Sequence, residues 1–147
     1  MKANMKEMSR GARLALIGGC LAVIAAIAEI LYGAKYEQYA DVTVVLTLLV
    51  GGALLVGYAI FSFRAADWFG FLGVIAAGFG LGLFIVNSFN VWADTWGNLQ
   101  QYGSIVGEFN FFNSQGGPIP AVILIVLGLA TEICGIISCF KDKEAVK

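Results

Sequence analysis

The 147-residue chain is 59% hydrophobic and only 13% charged, where soluble domains carry charge on about a quarter of their residues. That balance excludes water as the main solvent, and the length leaves room for one domain, residues 1–147. Nine basic residues against ten acidic ones give a net charge of −1, so there is no basic excess to neutralise a phosphate backbone and nucleic acid is not an expected partner.

Taken in chain order, the first feature is a basic head, Lys2, Lys6, Arg10 and Arg13, followed by an apolar run over 14–34. About 20 apolar residues in a helix cross a hydrocarbon layer about 30 Å thick, and this run is long enough. A basic head before an apolar stretch also describes a signal peptide, and Ala26-Ile27-Ala28 has the A-x-A form of a cleavage site. The run continues past that point to Ala34, however, so it is expected to stay as a span. Ile17-Gly18-Gly19-Cys20 resembles a lipoprotein box, but too few apolar residues separate it from Arg13 for such a signal.

After a short connection over 34–41, two further runs over 42–63 and 68–89 contain no charged residue, and Arg64 lies between them. A fourth run covers 119–140. All four are long, continuous and rich in Ala, Leu and Gly. These properties predict helices rather than the short alternating strands of a membrane barrel. The expected fold is therefore an all-α integral membrane four-helix bundle. Eight of the nine basic residues fall on one side of it, with Lys35 alone on the other, so the positive-inside rule places both termini in the cytoplasm and the chain in the cell membrane.

The long connection is the outer segment 94–117. Trp96, Leu99, Tyr102, Val106 and Phe109 recur there at spacings of three and four, which predicts a short helix lying at the membrane surface. Gly97, Gly103 and Gly107 work against it. Pro118 and Pro120 then suit the first turn of the fourth span.

Lipid supplies no hydrophobic force between helices, so small residues that let backbones approach must mark the contacts. On the first span Ala15, Gly19, Ala22, Ala26, Glu29 and Gly33 form one stripe. On the fourth, Ala121, Gly128 and Gly135 repeat every seven residues with Glu132 among them. Gly78 and Gly82 make a GxxxG pair on the third span. Gly19, Gly78, Gly82, Gly128 and Gly135 are the expected helix-packing positions.

Glu29 and Glu132 are the two carboxylates inside spans, and no Lys or Arg lies within any span to pair with them. Each costs about 2.5–3.5 kcal/mol near a bilayer centre, which a span of Leu, Ile, Val and Phe can absorb. An unpaired buried carboxyl is expected to be largely neutral, Glu132 above all. The two lie at different depths and are not expected to touch. Glu29 shares the outer level with Thr43, Thr47, Asn87, Ser88 and Asn90, a candidate polar vestibule. Glu132 and Glu29, with Asn87, are the candidate proton or ion site, and interhelical hydrogen bonding is the structural alternative for the same residues.

Histidine is absent, and Cys20, Cys134 and Cys139 lie in or at the edge of apolar runs without metal-site spacing. No metal, disulfide framework or cofactor is therefore expected. Nucleophile elbows, phosphate loops and close acid pairs are missing too, so the chain is not expected to be an enzyme. The expected function is a non-enzymatic interaction or accessory subunit, packing against a membrane-protein partner or against copies of itself in the lipid bilayer. The alternative is a homo-oligomeric transporter or channel for protons, ions or small solutes that uses the two glutamates.

Overall fold

The computed structural model describes residues 8–35, 41–61, 64–89 and 119–141. They form four helices, α1 (Arg10–Lys35), α2 (Val42–Ile60), α3 (Asp67–Asn87) and α4 (Ile119–Cys139), with a 3-10 turn at Arg64–Ala66 before α3. Each helix is long and apolar enough to cross a membrane. The outer segment 94–117 with its expected surface helix, Asn90 and Pro118 lie outside the described residues.

The helix starts follow from local chemistry. Ser9 stands just before α1, and its hydroxyl accepts the Ala12 N–H at 3.1 Å. This cap starts the helix four residues before the apolar run, so Arg10 and Arg13 ride on its first turn. Asp41 caps α2 from an extended backbone (φ −129°, ψ 106°) and accepts the N–H groups of Thr43 and Val44. Asp67 in the first turn of α3 places a negative charge at the positive end of that helix. Pro120 sits in the first turn of α4, where a missing N–H is harmless.

The helices close a ring in which α1 packs on α2 and α4, and α3 packs on α2 and α4. Neighbours run antiparallel. Gly51 lies against Gly73 and Ala77, Gly70 against Tyr58, Gly128 against Leu81, and Gly135 against Val74. The finish of α1, the start of α2, the finish of α3 and the start of α4 thus lie at one end, called here the loop end. The start of α1, the α2–α3 turn and the finish of α4 share the other, the terminal end.

The interior is built from small side chains. Ala15, Ala22, Ala26 and Glu29 of the α1 stripe are all buried, and Ala25 and Ala26 meet Val44, Leu48, Phe84, Ala121 and Leu124 in the core nearest the loop end. A smaller core at the terminal end joins Ala12 and Ala15 to Tyr58 and Ala59. The outward faces are the reverse of a soluble protein, with Leu31, Phe79, Val86 and Ile133 all exposed. A surface that apolar needs lipid around it. Hydroxyls close on their own helices, Thr47 to the Thr43 carbonyl at 2.8 Å and Thr131 to the Leu127 carbonyl at 2.9 Å. This satisfies a polar group where no water reaches it.

Candidate functional site

Glu29 lies one turn beyond the Ala25–Ala26 layer, on the buried face of α1, and is only 1% exposed. Among the described residues neither of its carboxyl oxygens has a hydrogen-bond partner. Toward the loop end, Asp41 stands directly before α2, and Val44 three residues on packs with Ala25 and Ala26 of α1 in the same core.

Asp41 itself is held firmly. One oxygen accepts the Thr43 N–H at 2.8 Å and, more weakly, the Val44 N–H at 3.4 Å. The other accepts from the Asn87 side-chain amide at the finish of α3. A single carboxylate thereby ties the start of α2 to the end of α3, with three donors aimed at it. Exposure falls step by step along this line: Asn87 and Thr43 are exposed, Asp41 is half-buried and Glu29 is buried.

Of the expected vestibule residues, Thr43 takes part through its backbone. Thr47 does not stand free, because its hydroxyl bonds the Thr43 and Val44 carbonyls at 2.8 and 3.0 Å and its side chain presses on Gly80. Ser88 is fully buried and donates to the Ile85 carbonyl at 3.1 Å.

Glu132 occupies a separate place. Its carboxylate lies over Gly78 of α3, 3.3 Å from where a Cβ would stand, and one oxygen is buried without a partner. The missing side chain at Gly78 makes the room for that carboxyl group. Thr131 beside it is level with Gly18 of α1, whose Cβ would lie 3.3 Å from the Thr131 carbonyl oxygen. Gly18 precedes Glu29 by eleven residues, roughly 16 Å of helix. The structure therefore separates the two glutamates into a loop-end site and a mid-bundle site, and Asn87 belongs to the first.

The expected packing glycines divide in the same way. Gly19, Gly128 and Gly135 each face a neighbouring helix so closely that a Cβ would come within 3.0 Å of it. Gly78 faces Glu132, whereas Gly82 has nothing within 4 Å. The GxxxG pair is thus not one surface within the chain: its first glycine looks inward and its second outward.

Asp41 is the residue of this end of the bundle that sequence reasoning missed. Its signal was present, an Asp directly before an apolar run, which marks a helix cap. What periodicity could not supply is that the cap also accepts the Asn87 amide at the finish of α3. Among the described residues no three His, Cys, Asp or Glu side chains stand together as a metal cluster. The chain matches no protein-family model, no curated protein and no solved structure.

Proposed function

We propose that this chain is a non-enzymatic membrane protein that handles a proton or small cation, with Glu29 as its loop-end station and Glu132 as its mid-bundle station. The observation that carries this reading is the burial of Glu29 with both oxygens unpartnered, behind an exposed-to-buried polar line through Asn87 and Asp41. An ionisable group at membrane depth is costly, and a merely structural one is expected to find a hydrogen-bond donor. Glu29 finds none among the described residues.

This order reverses the expectation drawn from sequence. Small-residue faces suggested docking to a partner, but Gly19, Gly51, Gly52, Gly73, Gly80, Gly128 and Gly135 all face neighbours inside the chain. Gly82 alone among the glycines with described surroundings faces open space, beside exposed Phe79 and Val86. That spot favours a second reading, in which α3 pairs with a helix of another copy or of a membrane partner.

In this proposal the chain sits in the cell membrane with both termini and Arg64 on the cytoplasmic side, so the loop end opens outward. Accessibility labelling at Lys2 and Lys147 should find both on one side. The function is tested in sealed liposomes by following proton and alkali-cation movement. Wild-type protein should support a flux that Glu29→Gln abolishes and Glu132→Gln abolishes or strongly slows. Equal flux from empty liposomes and from wild type would overturn it.

A further inference from the structure

Independently of what the two glutamates do, we infer that the lipid-facing groove between α1 and α4 at the terminal end binds an anionic phospholipid. Arg10, Arg13 and Lys141 hold its phosphate, and its acyl chains lie on the isoleucines that continue each helix face. The register of the two helices brings the three cations together. Gly18 meets α4 so closely that a Cβ there would lie 3.2 Å from the Cys134 Cβ. Two turns beyond Cys134 on the same face of α4 comes Lys141, whose N–H closes on the Ser138 carbonyl at 3.3 Å, so the chain still follows the helix there. Two turns back from Gly18 along α1 comes Gly11, between Arg10 and Arg13. A second contact gives the same level. The Tyr58 hydroxyl donates to the Ser138 carbonyl, and the Tyr58 ring packs with Ala12 and Ala15.

All three cations are exposed, and they head apolar stripes. On α1, Arg10, Arg13, Ile17, Cys20 and Ile24 recur at steps of three and four and all face outward. On α4, Val126, Ile133, Ile137 and Phe140 face outward ahead of Lys141. The Arg13 Nε–H donates to the Met8 carbonyl at 2.9 Å, which holds its guanidinium at the start of α1. Cations above an apolar groove complement a phosphate above two acyl chains, and a guanidinium suits phosphate oxygens in particular.

Charge selects an anionic occupant. The first turn of α1 contains no acid, and among the described residues the acid at this end is Asp67, on α3 across the ring from α1. The tails beyond carry Lys2, Lys6, Lys143 and Lys147 against Glu7, Asp142 and Glu144, so they bring no negative excess. The far side of the same end is aromatic, with exposed Trp68 and Phe71 edge to face at 6.4 Å between ring centres. Gly70 packs on the same Tyr58 ring, so Trp68 stands level with Arg10. Tryptophan settles at the headgroup boundary, which puts the three cations at phosphate depth.

Native mass spectrometry of the full chain released from nanodiscs tests this, with phosphatidylglycerol and phosphatidylcholine of equal chain length offered in equal amounts. Wild type should retain phosphatidylglycerol in preference, a readout that needs no variant. Arg13→Gln and Lys141→Gln should each weaken that retention about fivefold, the worth of one cation at an anionic lipid surface. Arg64→Gln, in the turn on the far side of the same end, should leave it unchanged. A phosphatidylglycerol with a photoreactive diazirine in its acyl chain should label Ile17, Ile24 and Ile133. Equal retention of the two lipids, labels spread over all four helices, or displacement of the lipid by inorganic phosphate would each overturn the site. So would a loss in Arg64→Gln as large as in Arg13→Gln, which marks general attraction to the surface.

Discussion

Gly19 of α1 and Gly52 of α2 face each other so closely that each carbonyl oxygen lies where the other's side chain would begin, 2.8 Å from a Cβ at Gly19 and 2.9 Å from one at Gly52. A backbone carbonyl cannot swing aside as the end of a side chain can. The pair therefore sets how near α1 and α2 come.

Gly52→Ala should lower stability by about 1–3 kcal/mol, the usual cost of overpacking. Gly82→Ala is the matched control. With nothing within 4 Å, it should leave stability unchanged or raise it by up to about 1 kcal/mol through helix propensity. Reversible unfolding of both variants in the same detergent checks the contrast. Equal effects would mean that the α1–α2 approach is not as close as drawn.

Much of this architecture is legible from residue pattern. Four spans, the inward stripe on α1 and the inward glycines of α4 all follow from length and from a 3.6-residue period, because those properties belong to single helices. What the pattern cannot carry is which helix answers which. Gly78 and Gly82 look equivalent along α3, yet α4 approaches only one of them, since four residues advance a helix slightly more than a full turn. Asp41 was hidden for a related reason. Its partner Asn87 is 46 residues away, and only the closure of the ring brings the two together.

Asp41 joins a cap to an interhelical tie, and the two roles separate by substitution. Asp41→Ala should cost about 0.5–2 kcal/mol for the lost α2 cap alone, with the loss of the Asn87 contact added to it. Asn87→Ala should leave the cap intact and cost about 0.6 kcal/mol, the average for interhelical hydrogen bonds in membranes. Hydrogen exchange at the Thr43 and Val44 amides gives the readout: faster in Asp41→Ala, unchanged in Asn87→Ala. Identical exchange in both would show that Asp41 does not cap α2.

At the terminal end the Tyr58 hydroxyl reaches diagonally across the bundle from α2 to the Ser138 carbonyl of α4 at 3.4 Å. The Ser138 hydroxyl bonds the Gly135 carbonyl at 2.6 Å instead. Tyr58→Phe keeps the ring that packs on Gly70 and removes only the hydroxyl. A loss of about 0.6 kcal/mol is expected, visible as a small drop in melting temperature in detergent. A loss above about 2 kcal/mol would mean that the phenol does more than this long bond suggests.

Glu132 offers the sharpest separation of structure from function. One of its oxygens is buried and unpartnered, so in stability terms the carboxyl group is a burden. Glu132→Met, close in volume and free of polar atoms, should leave the fold equally stable or make it more so, because replacing an unsatisfied polar group by an apolar one removes its desolvation penalty. Gly78→Leu attacks the same contact from the other side: a side chain there must push into the space now taken by the Glu132 carboxyl, 3.3 Å from the Cβ position, and should destabilise by about 1–3 kcal/mol. In the double variant Glu132→Ala with Gly78→Leu, much of that loss should be recovered, since the new side chain fills the vacated room. If Glu132→Met instead unfolds the bundle, the carboxyl is holding helices together. A Glu132→Met protein that is stable but supports no flux would place its value in the handling of charge.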